Sequence, residues 1–258
     1  MGKVIKNILI ISVLFLTINI PIHALVGSSI NIIIKNAKSL SNLEIIKLSK
    51  ISDEVSGTRK IGIYLGEKKL SKEVLEDTYV RIAIHQKKLS RVEAEVFYKH
   101  LHGVDGFRGT LSKVIGNSPQ KTAGHLNELR IANNASRNGF KTVGIGVKYQ
   151  DGLKKAPTDI DIILKKDSKT FIIEAKDYSS TTKLPLDKYR ADLDTLNVYK
   201  KEHNTERVIA IFSITNKPKD EKYLKLLKKE AKRRNVELIF GTPSQQTVQI
   251  NQLNRITK

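Results

Sequence analysis

The chain of 258 residues has no cysteine, no tryptophan, a single methionine and few aromatic side chains. Without cysteine there are no disulfides, no thiol nucleophile and no Cys-ligated zinc, so any folded state must rest on a hydrophobic core. Acidic residues are also scarce: 26 Asp and Glu face 46 Lys and Arg, a formal net charge of +20. That surplus suits a polyanionic partner such as nucleic acid, an anionic membrane or a cell-wall polymer. Coding bias toward lysine produces the same composition, so charge alone does not choose among them. Long apolar runs are missing except at the start. Lys3 and Lys6 precede an apolar stretch from Ile8 to Phe15 that continues to Ile20, and Pro21-Ile22-His23-Ala24 follows. A basic head, an apolar core, a helix-breaking proline and a small residue are the order of a signal peptide, with cleavage expected after Ala24. The run is short for a spanning helix, which needs about 20 apolar residues. The expectation is a periplasmic or secreted protein with no membrane span in its mature form. Loss of Lys3 and Lys6 takes the charge from +20 to +18, and about 230 residues remain, ample for a core.

Residues 25–117 read as a helix-rich region of unknown role. Leu43–Leu48 fits a strand or a short helix, and Arg59–Gly66, bounded by glycines, fits a strand. Helices are expected from Ser71, with Leu75, Tyr79, Ile82 and Ala83 on one side, and from Ser90, with Glu93 at the capping-box position. His85, His100 and His102 lack metal-ligand spacing and fit exposed or capping positions. Gly116-Asn117-Ser118-Pro119 reads as a linker. From Thr122 to Asn138 the spacing is helical and stops at Gly139. Gly124, Glu128, Ile131, Ala132 and Ala135 share a face there, so Glu128 sits among small residues suited to packing on a sheet.

The most informative stretch is Thr158–Lys176, TDIDIILKKDSKTFIIEAK. Two alternating segments flank a polar turn at 166–169, after a strand at 140–149. Successive strand side chains point to opposite faces, so Glu174 and Lys176 share a face, with Asp161 on the strand before and Asp159 in the same phase. Charges among β-branched and aromatic neighbours are costly unless they pair or bind a metal. A buried salt-bridge cluster is the structural alternative, and such clusters rarely repay desolvation. Farther on, a helix is expected at 186–203 and strands at 207–214 and 236–240. Between them 217–234 holds nine basic and three acidic residues, a solvated face or a phosphate-tracking one. The polar tail from Thr242 reads as loosely ordered.

An inward helix glutamate, a strand, a strand ending in x-D-x-D, a strand ending in E-A-K, then a helix and a further strand together resemble the PD-(D/E)XK nuclease superfamily, over roughly 118–245. The same block is similar, more loosely, to nuclease domains of bacterial secreted polymorphic or contact-dependent toxins. The resemblance implies an α/β fold in which helices flank a mixed central sheet, as in restriction endonucleases. It also implies a Mg²⁺- or Mn²⁺-dependent hydrolase of DNA or RNA phosphodiesters. Asp161 and Glu174 would be metal ligands with the Ala175 carbonyl, hard oxygens suited to such ions. Lys176 would orient the attacking water and stabilise developing negative charge, and Glu128 would support a second ion or the water network. Lys183, Lys188 and Arg190, near a helix N-terminus, are candidate nucleic-acid contacts. The toxin-like pattern would bring an immunity protein as a partner. A non-catalytic nucleic-acid-binding module on the same fold, or a surface interaction protein, are the alternative readings.

Overall fold

The computed structural model describes residues 39–54, 56–153, 156–203 and 207–256. The expected signal peptide lies outside them. No helix among the described residues is long and apolar enough to cross a membrane. The fold is α/β: five helices, α1 (Asn42–Ser52), α2 (Gly57–Glu67), α3 (Lys72–His85), α4 (Arg91–Leu101) and α5 (Phe107–Gly116), lead into the long α6 (Pro119–Arg137). Strands β1 (Lys141–Tyr149), β2 (Thr158–Lys166) and β3 (Lys169–Lys176) follow, then α7 (Leu186–Glu202), β4 (Arg207–Ile214), α8 (Glu221–Arg233), β5 (Glu237–Phe240) and α9 (Pro243–Ile256). The sheet runs β1-β2-β3-β4-β5, antiparallel through β3 and parallel from β3 to β5, which makes it mixed.

Helix starts follow the capping chemistry. Ser41 and Glu44 form a full capping box, and the Ser71 and Ser90 hydroxyls accept the Val74 and Glu93 amides. Each such cap stabilises its helix by about 1 kcal/mol. Glu93 also reaches across to Arg130 of α6 at 2.6 Å. The hairpin turn is equally legible: Asp167 and Ser168 both have positive φ, the two-residue geometry that matches the twist of antiparallel strands.

Three expectations from sequence are corrected. Arg59–Gly66 is not a strand but lies in α2, because the buried residues are Gly57, Ile61 and Leu65, four apart, while Ile63 is 56 % exposed. Alternation would have buried Ile63 with them. The residues 116–119 are a tight corner: α5 ends at Gly116, and Pro119 occupies the first turn of α6, where its missing N–H costs nothing. The segment after Thr242 is helical. It docks through polar groups that hydropathy does not register: Lys169 Nζ donates to the Asn254 carbonyl, Asn254 Nδ2 to Asp167 Oδ2 at 2.7 Å, and Lys166 Nζ to Asn251 Oδ1 at 3.0 Å.

The helices α1–α5 share one hydrophobic core with one face of the sheet, from Ile45 and Phe107 through Leu129 and Ile131 of α6 to Ile162, Phe171 and Ile173. Gly106 joins the two regions. With φ +77 and no Cβ it lets the backbone come against Ile145, where a Cβ would lie 1.7 Å from the carbonyl oxygen. The neighbouring Asp105 carbonyl accepts Ile145 N–H at 2.9 Å. The other sheet face is covered by α7 and α8, with Ile172, Phe212, Tyr189 and Leu227 in a second core. The three histidines are structural: His85 bonds Ser49, His100 bonds Asn133, and His102 stacks on Tyr98.

Candidate active site

The β2–β3 ladder is regular from Lys166↔Lys169 to Ile162↔Ile173 and then stops. One residue farther, the Ala175 N–H donates to Asp161 Oδ2 at 2.8 Å. The aspartate side chain therefore does what a strand carbonyl would have done, and it is tied to the backbone between Glu174 and Lys176. Phe171, Ile173 and Ala175 belong to the core on the α6 face and Ile172 to the core on the α7 face. By alternation Glu174 and Lys176 point toward α7.

There the Lys176 ammonium donates to Glu174 Oε1. A third carboxylate, Asp192 of α7, stands 3.5 Å from Lys176 Nζ. Its Oδ2 is buried and accepts no hydrogen bond among the described residues. From the opposite side of the sheet comes Glu128 of α6, 6 % exposed, which accepts from or donates to His125 Nδ1 at 2.9 Å according to the protonation of the pair. Glu174 and Lys176 are thus in direct contact, Asp161 is bonded to the backbone between them, and Glu128 acts on Asp161 and Glu174 through its charge. Asp159 pairs instead with Lys113 of α5 at 2.9 Å and Lys148 of β1 at 2.7 Å.

The electrostatics follow from carboxylates outnumbering cations in a poorly hydrated place. Burial, then the neighbouring Glu174 and Glu128 charges, push the Asp161 carboxyl well above its ordinary range. Burial also raises Glu174, to about 7; Lys176 opposes this and Asp192 adds to it. For Lys176 burial favours the neutral amine, yet Glu174, Asp161 and Asp192 outweigh it and hold the ammonium charged. Lys113 is also kept charged against burial, first by Asp159 and then by Glu128 and Asp161. The helix-rich half therefore lends a cation to the rim of the cluster.

Among the described residues no group of three His, Asp or Glu side chains stands ready to hold a metal ion. The donors nevertheless fit a hard divalent cation. Asp161 and Glu174 offer oxygens on adjoining strands, and burial first, then neighbouring carboxylates (Glu174 and Glu128 for Asp161, Asp192 and Glu128 for Glu174), drives each toward the neutral acid, a conflict that added positive charge relieves. The unbonded Asp192 oxygen is a further hard donor beside them.

The basic candidates are placed differently. Lys183 pairs with Asp220 at 2.9 Å, and Arg190 is taken by Glu230 at 3.2 Å, while Lys188 is exposed. Sequence reading missed Asp192, His125 and Lys113. Asp192 carried a signal: it falls on the buried stripe Tyr189, Leu193, Leu196 at helical spacing, where an aspartate is out of place. His125 lies one turn before Glu128. Lys113 carried none, because only packing brings α5 to β2. Against known proteins, no family model, curated protein or solved structure matches this chain.

Proposed function

We propose that the chain is an exported metal-dependent nuclease of the PD-(D/E)XK kind, hydrolysing phosphodiester bonds of DNA or RNA, with a toxin or effector role and an immunity protein as its natural antagonist. The observation that carries this reading is the meeting of Asp161, Glu174 and Lys176 where the β2–β3 ladder ends, with Asp192 and Glu128 acting on them from opposite sides.

In hydrolysis a water oxygen forms a bond to phosphorus while a P–O ester bond breaks. The water gives up a proton, and the departing oxygen gains one. Asp161 and Glu174 would hold Mg²⁺ or Mn²⁺, which supplies charge neutralisation and a more acidic water. Lys176, kept charged by its neighbours, is suited to orient the water and to donate to a non-bridging phosphoryl oxygen, where negative charge grows. Asp192 keeps that ammonium in place, and the hydrogen-bonded His125–Glu128 pair can carry a proton away from the water. The basic surplus, +18 after loss of Lys3 and Lys6 from the +20 of the full chain, draws the polyanion to the site.

That no three ligands stand assembled favours a second reading, a binding module without catalysis. Plasmid, linear DNA, total RNA and tRNA incubated with Mg²⁺, Mn²⁺ or EDTA, beside Asp161→Asn, distinguish the two. Cleavage that needs the ion and is lost in the variant is expected. Cleavage that survives EDTA and the substitution would dismiss this site, and binding without any cleavage would leave the module.

A further inference from the structure

A groove of about 580 Å³ opens at the carboxyl ends of β4 and β5, outside the cluster just described. Its lining combines three chemistries. Phe240 and Val248 supply an apolar strip, and Val248 is 55 % exposed although it is a large aliphatic residue on an ordered helix. Asn216 and Gln252 border the strip with amides. Asn216 is held in place because its Nδ2 donates to the Tyr178 carbonyl at 2.8 Å. Gln252 and Lys217 are exposed at the rim.

The groove is joined to the cluster through the backbone. Thr215, one of its lining residues, donates its N–H to the Lys176 carbonyl at 3.0 Å. Lys176 lies on β3 and Phe240 on β5, two strand spacings apart, about 10 Å. A short run of nucleotides with its scissile phosphate at Lys176 reaches that far. Carboxyl ends of parallel strands are also where open α/β sheets take their ligands.

An apolar strip, bordering amides and a cation match the parts of one nucleotide: the faces of a base, its hydrogen-bonding edge and its phosphate. A base inside a duplex offers neither face nor Watson–Crick edge. Resting on the nuclease reading above, we infer that this groove holds an unpaired nucleobase next to the scissile phosphodiester, so that single-stranded or locally opened nucleic acid is the substrate class.

The test uses the Asp161→Asn chain, chosen so that binding is read apart from cutting, and short fluorescein-labelled DNA and RNA single strands beside the matching duplexes, read by anisotropy. Single strands should bind at least about tenfold tighter than duplexes, and Asn216→Ala with Gln252→Ala should remove about tenfold of that affinity, the worth of one stacked, edge-read base. An oligonucleotide made abasic at the position held in the groove should lose at least that factor, with no further loss in the double variant. Unchanged circular dichroism and Tm, expected for two exposed side chains, show that the fold is intact. Equal affinity for single strand and duplex, or a double variant that binds like its parent, would overturn the inference. These readouts need no cleavage, so an inactive wild-type chain would sink the nuclease reading separately.

Discussion

Carboxylates are buried beside a cation in both halves of the molecule, and the two halves satisfy them differently. In the helical half Asp77 and Arg81 are almost fully buried, 3.5 Å apart. Arg81 also donates to the Leu40 carbonyl and to Asn42 Oδ1, at 2.7 Å each, clamping the entry to α1. Nearby Glu76, raised by burial, accepts the Gly103 amide at 3.0 Å. Arg81 and Glu76 are each spent partly on a backbone group, and those bonds join separate stretches of chain. In the cluster of the sheet half, Asp161 takes a backbone amide, while Glu174 and Asp192 turn to one lysine. Burial of charge by itself is therefore a poor sign of function; what the charges face is the better one.

The sharpest way to break this contrast is to remove each cation. Lys176→Ala should lower kcat by about 10²–10³-fold, since a preorganised donor at developing phosphate charge is worth that much. Single-turnover cleavage checks it, with circular dichroism showing a folded chain because Asp161 and Glu174 can go neutral. Arg81→Ala should do the reverse. It leaves Asp77 buried without its partner and unties the Leu40 carbonyl, a loss of about 3–5 kcal/mol in urea unfolding with activity per folded molecule kept. If Arg81→Ala instead abolished cleavage at full stability, the division between joint and working site would be wrong.

A smaller effect is expected from pH in metal-free protein. Glu174 is raised from its usual 4.5 to about 7, so between those values the folded state keeps a proton that the unfolded chain has lost. Its contribution to stability is complete below 4.5 and disappears as pH rises through 7. Asp161 acts in the same direction. Glu44, lowered to about 2 first by Lys68 and by Ser41 at its capping box, acts oppositely: its contribution is present above 4.5 and is lost as pH falls toward 2. Thermal unfolding in EDTA should thus show Tm falling from pH 5 to pH 8 through the site. Glu174→Gln should flatten that fall, whereas Glu44→Gln should leave it untouched.

Much of the fold could be read in advance where a local pattern matched the final environment. The alternation in β2 and β3, the two turn residues with positive φ and the serine caps depend on neighbours a few residues away. The Arg59–Gly66 stretch misled because its glycines and isoleucines fit either period, and only packing of Ile61 and Leu65 into the helical core chose one. The carboxyl-terminal helix escaped notice because hydrogen bonds to the hairpin turn, more than an apolar stripe, dock it.

By itself, the sequence determined the hairpin, its phase and therefore the shared side of Glu174 and Lys176, because a strand's two-residue period is local geometry. It also determined the charge surplus and the absence of disulfides. Tertiary structure alone decided that the Asp192 carboxylate meets Lys176, that Lys113 comes to the rim of the cluster, that Arg190 faces Glu230 and that a groove opens beside Thr215. Those outcomes depend on how helices distant in sequence settle against the sheet, and side chains far apart along a chain carry no local mark of whom they will meet.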